Sequence, residues 1–130
     1  MNSMELQQEG KGYAVATVGD IADFSGKAFA KDLLNTTSME LSFGTLAAGE
    51  AVPFNHRHKQ NEEVYVVLSG EGEFTLGADT VTVKSGSVVR VSPEVLRCTR
   101  NTGSAPLTYI CIQAKAGSLE QYTMTDAIVE

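Results

Sequence analysis

The feature that most restricts the fold of this chain is the regular alternation of short β-prone segments with glycine-containing turns. Seven segments are rich in the β-branched and aromatic residues that favour strands. They are residues 13–18, 38–46, 64–68, 73–76, 80–83, 88–91 and 107–113. Glycines accompanied by small or polar residues stand between them, for example Gly49, Gly70, Gly77 and Gly86. Many short strands joined by tight turns predict an all-β barrel or sandwich.

Two of these segments indicate how the sheet is covered. In residues 38–46, Met39, Leu41 and Phe43 share one face by the two-residue period of a strand, and we expect that face to pack. Residues 64–68 are apolar on both faces, which predicts a central strand covered on both sides, partly by a second subunit. The pattern therefore favours a homodimer.

Only two short segments of the sequence could be helical. Residues 19–24 predict a single turn that Asp20 can cap, and residues 28–34 are ambiguous. Neither segment could form a helical domain.

Composition limits the partners. The chain of 130 residues is the size of one domain, and its net charge of −6 opposes binding to nucleic acid or anionic membranes. Residues 1–12 lack the apolar run of a signal peptide, and no segment is long enough to span a membrane. Cys98 and Cys111 are then expected to be reduced core thiols. We predict a cytoplasmic protein with a small-molecule partner.

The residues with the clearest chemical potential are two histidines and a glutamate. His56 and His58 are the only histidines in the chain, and their spacing puts both rings on one face of an extended strand. A polar turn follows, and a hairpin there would return Glu63 beside the pair. Two imidazoles and one carboxylate form the facial triad of non-haem iron sites and also suit zinc, manganese or nickel. The alternative is that both histidines are solvated loop residues.

The stretch from Gly49 to Gly70 resembles the first motif of the cupin superfamily, in which a glycine is followed by His-x-His, a glutamate and a second glycine. Six residues separate Gly49 from His56 here, whereas the family pattern has five between the glycine and the first histidine. Gly86 to Pro93 and on to Gly103 loosely match the second motif. The resemblance implies a double-stranded β-helix, or jelly-roll, in one domain of residues 1–130, with a core at 38–113 and extensions at 1–37 and 114–130. It also implies one divalent metal ion held by His56, His58 and Glu63.

The chain departs from the second motif at the fourth metal ligand, where the family has a histidine. Counting back from Asn101 places Arg97 there, and counting forward from Pro93 places Cys98 there. Arg97 has no lone pair for a metal but can clamp an anionic substrate, and the alternative is an ordinary ion pair. A Cys98 thiolate would instead shift the preference toward zinc or copper.

Other residues are expected to line or flank the predicted metal site. Tyr65 and Val67 share the face of Glu63 and should line the cavity, with Phe54 and Phe74 as apolar walls. Core packing is the alternative role for all of these, and Tyr65 is the one most suited to catalysis. Glu40 is expected to face solvent or an interface rather than to bind metal.

The first hypothesis is a metal-dependent oxygenase, isomerase or lyase that acts on a small anionic molecule, with the ion as Lewis acid and with Arg97 and Tyr65 as catalytic residues. The resemblance implies this class of enzyme without naming a reaction. A second hypothesis is a binding module for a sugar or organic acid that it does not turn over. A third is a dimeric scaffold whose metal site is weak or lost.

Overall fold

The computed structural model describes residues 3–130, and these form ten strands and two short helical turns. The strands are β1 (Glu5–Gly10), β2 (Tyr13–Thr17), β3 (Lys27–Phe29), β4 (Glu40–Leu46), β5 (Asn61–Ser69), β6 (Glu71–Leu76), β7 (Asp79–Lys84), β8 (Val88–Val91), β9 (Arg97–Asn101) and β10 (Leu107–Lys115). A 3-10 turn spans Ile21–Asp23, and the helix α1 spans Lys31–Leu34. The all-β class is confirmed.

The strands form a jelly-roll of two main sheets in which every pairing is antiparallel. One sheet has the order β3-β4-β10-β5-β8 and the other β7-β6-β9, while β1 and β2 make a separate hairpin. The core lies between the main sheets, where Phe74 and Leu107 are fully buried and Val67 is 2% exposed. These apolar contacts hold the sheets face to face.

Seven of the strands coincide with the predicted β-prone segments to within a few residues, and β1, β3 and β9 were not predicted. β1 is exposed throughout, and Leu6 is its one apolar residue. β9 reads Arg-Cys-Thr-Arg-Asn, yet Arg97, Thr99 and Asn101 are all buried because they alternate toward the barrel interior. Strand propensity cannot detect a strand whose inward side chains are polar.

The prediction that only one face of β4 packs, the face of Met39, Leu41 and Phe43, was wrong. Ser42, Gly44 and Leu46 are buried toward the barrel, whereas Leu41 and Phe43 are half-buried on the outer face. The inward glycine has a steric reason: a Cβ at Gly44 would lie 2.9 Å from the ring of Tyr109 on the adjacent strand. Glu40 lies on the same face by alternation, at the start of the strand, where it is partly exposed and accepts a hydrogen bond from the Lys31 N–H.

The N-terminal extension covers part of the outer face of the large sheet. Val18, Phe24 and Ala28 form a second apolar cluster with Phe43 packed against it. The predicted single turn is confirmed, since the Asp20 side chain accepts a hydrogen bond from the Ala22 N–H at 3.0 Å. The ambiguous residues 28–34 divide between β3 and α1.

Cys98 and Cys111 are both free thiols, as expected. Within residues 3–130, no helix has the length and apolar character needed to cross a membrane.

Candidate metal centre

The two histidines lie on residues 51–60, a largely irregular segment that runs along β9. The His56 N–H donates to the Arg97 carbonyl at 3.1 Å, and the Arg97 N–H donates back to the His56 carbonyl at 3.0 Å. The His58 N–H donates to the Pro93 carbonyl at 2.9 Å. The expected regular strand is therefore replaced by isolated bridges, but the backbone bonds still fix both histidines at the mouth of the barrel.

Glu63 reaches the same place from β5. It is the third residue of that strand, points inward and is 4% exposed. His58 Nε2 lies 3.1 Å from its Oε2 atom, and His56 Nε2 lies 3.8 Å from its Oε1 atom. One ligand atom from each of the three residues lies within 4.8 Å of the others. Ligands about 2.0–2.2 Å from one ion are at most about 4.4 Å apart, so a small side-chain movement would complete the set.

The burial and the protonation state of His56 suit a metal ligand. Its Nδ1 atom is buried and has no hydrogen-bond partner among residues 3–130. Burial lowers the pKa of His56, outweighing the nearby Glu63 carboxylate that raises it. The ring is then neutral at pH 7, which is the form that binds metals. Because the donor set is two imidazoles and a carboxylate, these residues can hold a divalent transition metal such as iron, manganese, nickel or zinc.

Both oxygens of Glu63 already accept hydrogen bonds within the protein. Oε1 accepts from the Tyr65 hydroxyl and from Arg97 Nη1, each at 2.6 Å. Oε2 lies 3.1 Å from His58 Nε2 and accepts from the Cys111 thiol at 3.3 Å. Burial raises the pKa of Glu63, but the bonds from Tyr65, Arg97 and Cys111 more than offset it, so its pKa is below the ordinary value. The carboxylate is thus held ionised and oriented.

The register of β9 shows which residue takes the place of the fourth histidine. Arg97 points into the barrel toward Glu63 and is 1% exposed. Its Nε and Nη2 groups donate to the carbonyls of Ser92, Pro93 and Val95 at 2.8–3.1 Å. Cys98 points to the other side of the strand, where its thiol donates to the Val52 carbonyl at 3.2 Å. Arg97 therefore occupies this position, as a buried cation paired with a metal-ligand candidate.

Tyr65 and Cys111 are hydrogen-bond donors to Glu63 rather than bases. Burial raises the pKa of Tyr65 far above its usual range and raises that of Cys111 to about 12. Both groups are consequently protonated at neutral pH. The role of Cys111 was not predicted, because its contact with Glu63 depends on the pairing of β10 with β5, which local sequence does not reveal.

The predicted apolar walls separate into two kinds. Phe74 and Val67 belong to the core, and the Phe74 ring packs edge-on against Tyr65 with centroids 4.8 Å apart. Phe54 is 58% exposed and lies beside the His56 ring, with centroids 5.8 Å apart. Phe54 is thus an exposed apolar residue beside His56, whereas Phe74 packs against Tyr65 within the core.

A jelly-roll with a two-histidine, one-carboxylate cluster at its mouth defines a cupin. The model of the cupin domain matches residues 42–113, more than half of the chain, and the protein belongs to this family. The resemblance stated from the two motifs is confirmed.

The fold is closely similar to that of a cupin protein from Bacteroides fragilis, with a TM-score of 0.85 and 39% identity over 93% of this chain and 99% of that one. A double-stranded β-helix protein from Klebsiella pneumoniae is similar in fold, at TM-score 0.58 and 20% identity over 65% of this chain and 73% of the other. An uncharacterized protein of Methanocaldococcus jannaschii is 34% identical over 56 residues. That match spans 43% of this chain and 45% of the archaeal protein.

Proposed function

We propose that this cupin is a metal-dependent enzyme that acts on a small anionic molecule as an oxygenase, isomerase or lyase. The supporting observation is the convergence of ligand atoms of His56, His58 and Glu63 within 4.8 Å. Three protein ligands leave open positions for substrate and water around an ion. A bound divalent ion would polarise a substrate oxygen and stabilise the negative charge that develops there.

The residues around the triad would orient it and supply hydrogen bonds. The hydroxyl of Tyr65 holds Glu63 at 2.6 Å and, with its raised pKa, would act as a donor rather than a general base. Arg97 gives one Nη1 hydrogen to Glu63. The guanidinium has a second hydrogen on the same nitrogen, and this is the group we assign to an oxyanion of the substrate.

Metal content is the first test. We would express the protein without a tag and measure bound metals by mass spectrometry in the wild type, His56→Ala and Glu63→Gln. The matched control is Glu62→Gln, because Glu62 is the adjacent residue on β5 and faces the other side of the sheet. Near-stoichiometric metal in the wild type and the control, with loss in the other two, is the expected result. A wild type that takes up no divalent ion after exposure to iron, manganese, nickel and zinc would refute the proposal.

A non-catalytic binding module is the second candidate, and one observation favours it. Glu63 and Tyr65 bond to each other, and their pKa shifts leave neither as a free general base at neutral pH. A bound ligand recovered chemically unchanged from the metal-loaded protein would support this candidate over the enzyme.

We further propose that the protein is a cytoplasmic homodimer joined through the outer face of the large sheet. Val64, Val66, Ile110 and Ile112 lie on this face and are half-buried, and Val88 on the adjacent edge strand is 66% exposed. Contiguous apolar surface of this kind marks interfaces. Light scattering after gel filtration tests this by comparing the wild type with Val66→Lys, and a monomeric wild type would rule the dimer out.

A further inference from the structure

A cavity at one end of the large sheet is lined by residues other than the metal-ligand candidates. Its volume is about 840 Å³, within the range of small-molecule sites. It opens at the end of the large sheet where β4 and β5 begin and β10 ends. Glu40, Asn61 and Gln113, one residue from each of these strands, contribute to its lining.

The strand register connects this cavity to the triad. Gln113 of β10 pairs directly with Glu63 on one side and with Glu40 on the other. Residues that pair across antiparallel strands have their side chains on the same face. Adjacent strands lie about 4.8 Å apart, so the backbone of Glu40 is roughly 10 Å from that of Glu63. A small molecule that contacts Glu40 and Gln113 can therefore extend to a metal at Glu63.

The hydrogen-bonding groups of the lining alternate between donors and acceptors. Asn61 Nδ2 donates to Gln113 Oε1 at 2.9 Å, which leaves the Gln113 amide nitrogen as a donor and the Asn61 amide oxygen as an acceptor. If the oxygen and nitrogen atoms of both side-chain amides are exchanged, the pair still presents one free donor and one free acceptor. Glu40 Oε1 accepts from the Lys31 N–H at 3.0 Å, so its second oxygen remains as an acceptor.

A row of acceptor, donor and acceptor matches hydroxyl groups, because each hydroxyl both donates and accepts. A carboxylate without hydroxyls would only accept, and it could not donate to the free acceptors of Glu40 and Asn61. We propose that Glu40, Gln113 and Asn61 form a subsite for a polyhydroxylated small molecule, one of whose oxygens reaches the metal. The metal contact rests on the proposed function, whereas the hydroxyl subsite does not.

The test uses ligands that differ in their hydroxyls. D-gluconate and hexanoate are six-carbon monocarboxylates with and without hydroxyl groups, and myo-inositol is an uncharged polyol. Titration calorimetry of the zinc-loaded and metal-free wild type should show that D-gluconate binds more tightly than hexanoate to the loaded protein. It should also show that myo-inositol binds both forms.

Single substitutions test how much each subsite residue contributes to polyol binding. Gln113→Leu and Asn61→Leu should each weaken D-gluconate and myo-inositol binding about five- to tenfold, as expected for the loss of one hydrogen bond. Gln60→Leu is the control, since Gln60 is exposed and is absent from the cavity lining. Unfolding curves would verify that each variant is folded. Glu40→Gln replaces the free acceptor by an amide donor, which a hydroxyl can also match, so this variant should retain polyol binding.

The outcomes separate the two proposals. The hydroxyl subsite would be overturned, and the metal site left intact, if the protein took up zinc but bound D-gluconate and hexanoate with equal affinity. The same conclusion would follow if neither leucine variant weakened the binding of D-gluconate or myo-inositol. Failure to take up metal together with myo-inositol binding that the leucine variants weaken would refute the metalloenzyme and support the subsite.

Discussion

Replacing Arg97 by methionine would test how the protein balances the charge of Glu63. Arg97 is 1% exposed, and its Nη1 atom lies 2.6 Å from Glu63 Oε1. Removing one partner of a buried ion pair leaves an uncompensated charge, at a cost of about 3–5 kcal/mol. The carbonyls of Ser92, Pro93 and Val95 also lose their donor. For a domain of this size, the expected fall in Tm is roughly 10–20 °C.

Divalent metal should partly reverse this loss. An ion bound by the triad would neutralise Glu63 in place of the guanidinium, so zinc or manganese should stabilise Arg97→Met more than the wild type. The measurement is thermal unfolding of both proteins with added metal and with chelator. The control is Arg100→Met, because Arg100 lies on the same strand but is exposed on the opposite side.

Two results would refute this reasoning. A loss in Arg97→Met of less than about 1 kcal/mol, no greater than in Arg100→Met, would mean that the ion pair contributes only as much as an exposed pair. Equal stabilisation of Arg97→Met and the wild type by metal would mean that the ion and the guanidinium do not compensate the same carboxylate.

Three further predictions concern the barrel. Gly70→Ala should lower the free energy of unfolding in urea by more than about 2 kcal/mol, because the residue has φ +87° and a Cβ there would clash with the Pro106 carbonyl oxygen; an unchanged midpoint would contradict this. Phe74→Ala should cost about 3–5 kcal/mol in the same assay, since the ring is fully buried against Tyr65, and a loss under about 1 kcal/mol would show that the core refills the space. Val66→Lys should yield monomers in light scattering, while Thr82→Lys, on the exposed face of β7, keeps the oligomeric state of the wild type; dissociation of both or of neither would count against the proposed interface.

The sequence predicted best what depends on local pattern. The fold class follows from short β-branched segments between glycine turns, and the positions of His56, His58 and Glu63 follow from their spacing on either side of one turn. The capping of a single turn by Asp20 is equally local. Each of these features needs only a few neighbouring residues.

What the sequence did not reveal depends on pairing between distant strands. The buried face of β4 is set by the Tyr109 ring, which lies 65 residues from Gly44 along the chain and occupies the space that a side chain at Gly44 would take. The contact of Cys111 with Glu63 and the row of Glu40, Gln113 and Glu63 require the register of three strands. Arg97 could be assigned over Cys98 only when β9 showed which of the two points inward.

The attachment of the histidine segment affects how fast the site could exchange its ion. His56 and His58 are held to the barrel by a few backbone bonds to β9 and its preceding loop, whereas Glu63 lies in a central strand. Segments with few such bonds open locally at a lower free energy than the global transition. Two of the three ligands can thus detach together while the sheets stay packed. The lifetime of a bound ion would then follow the opening rate of residues 51–60 and would be nearly independent of the stability of the barrel.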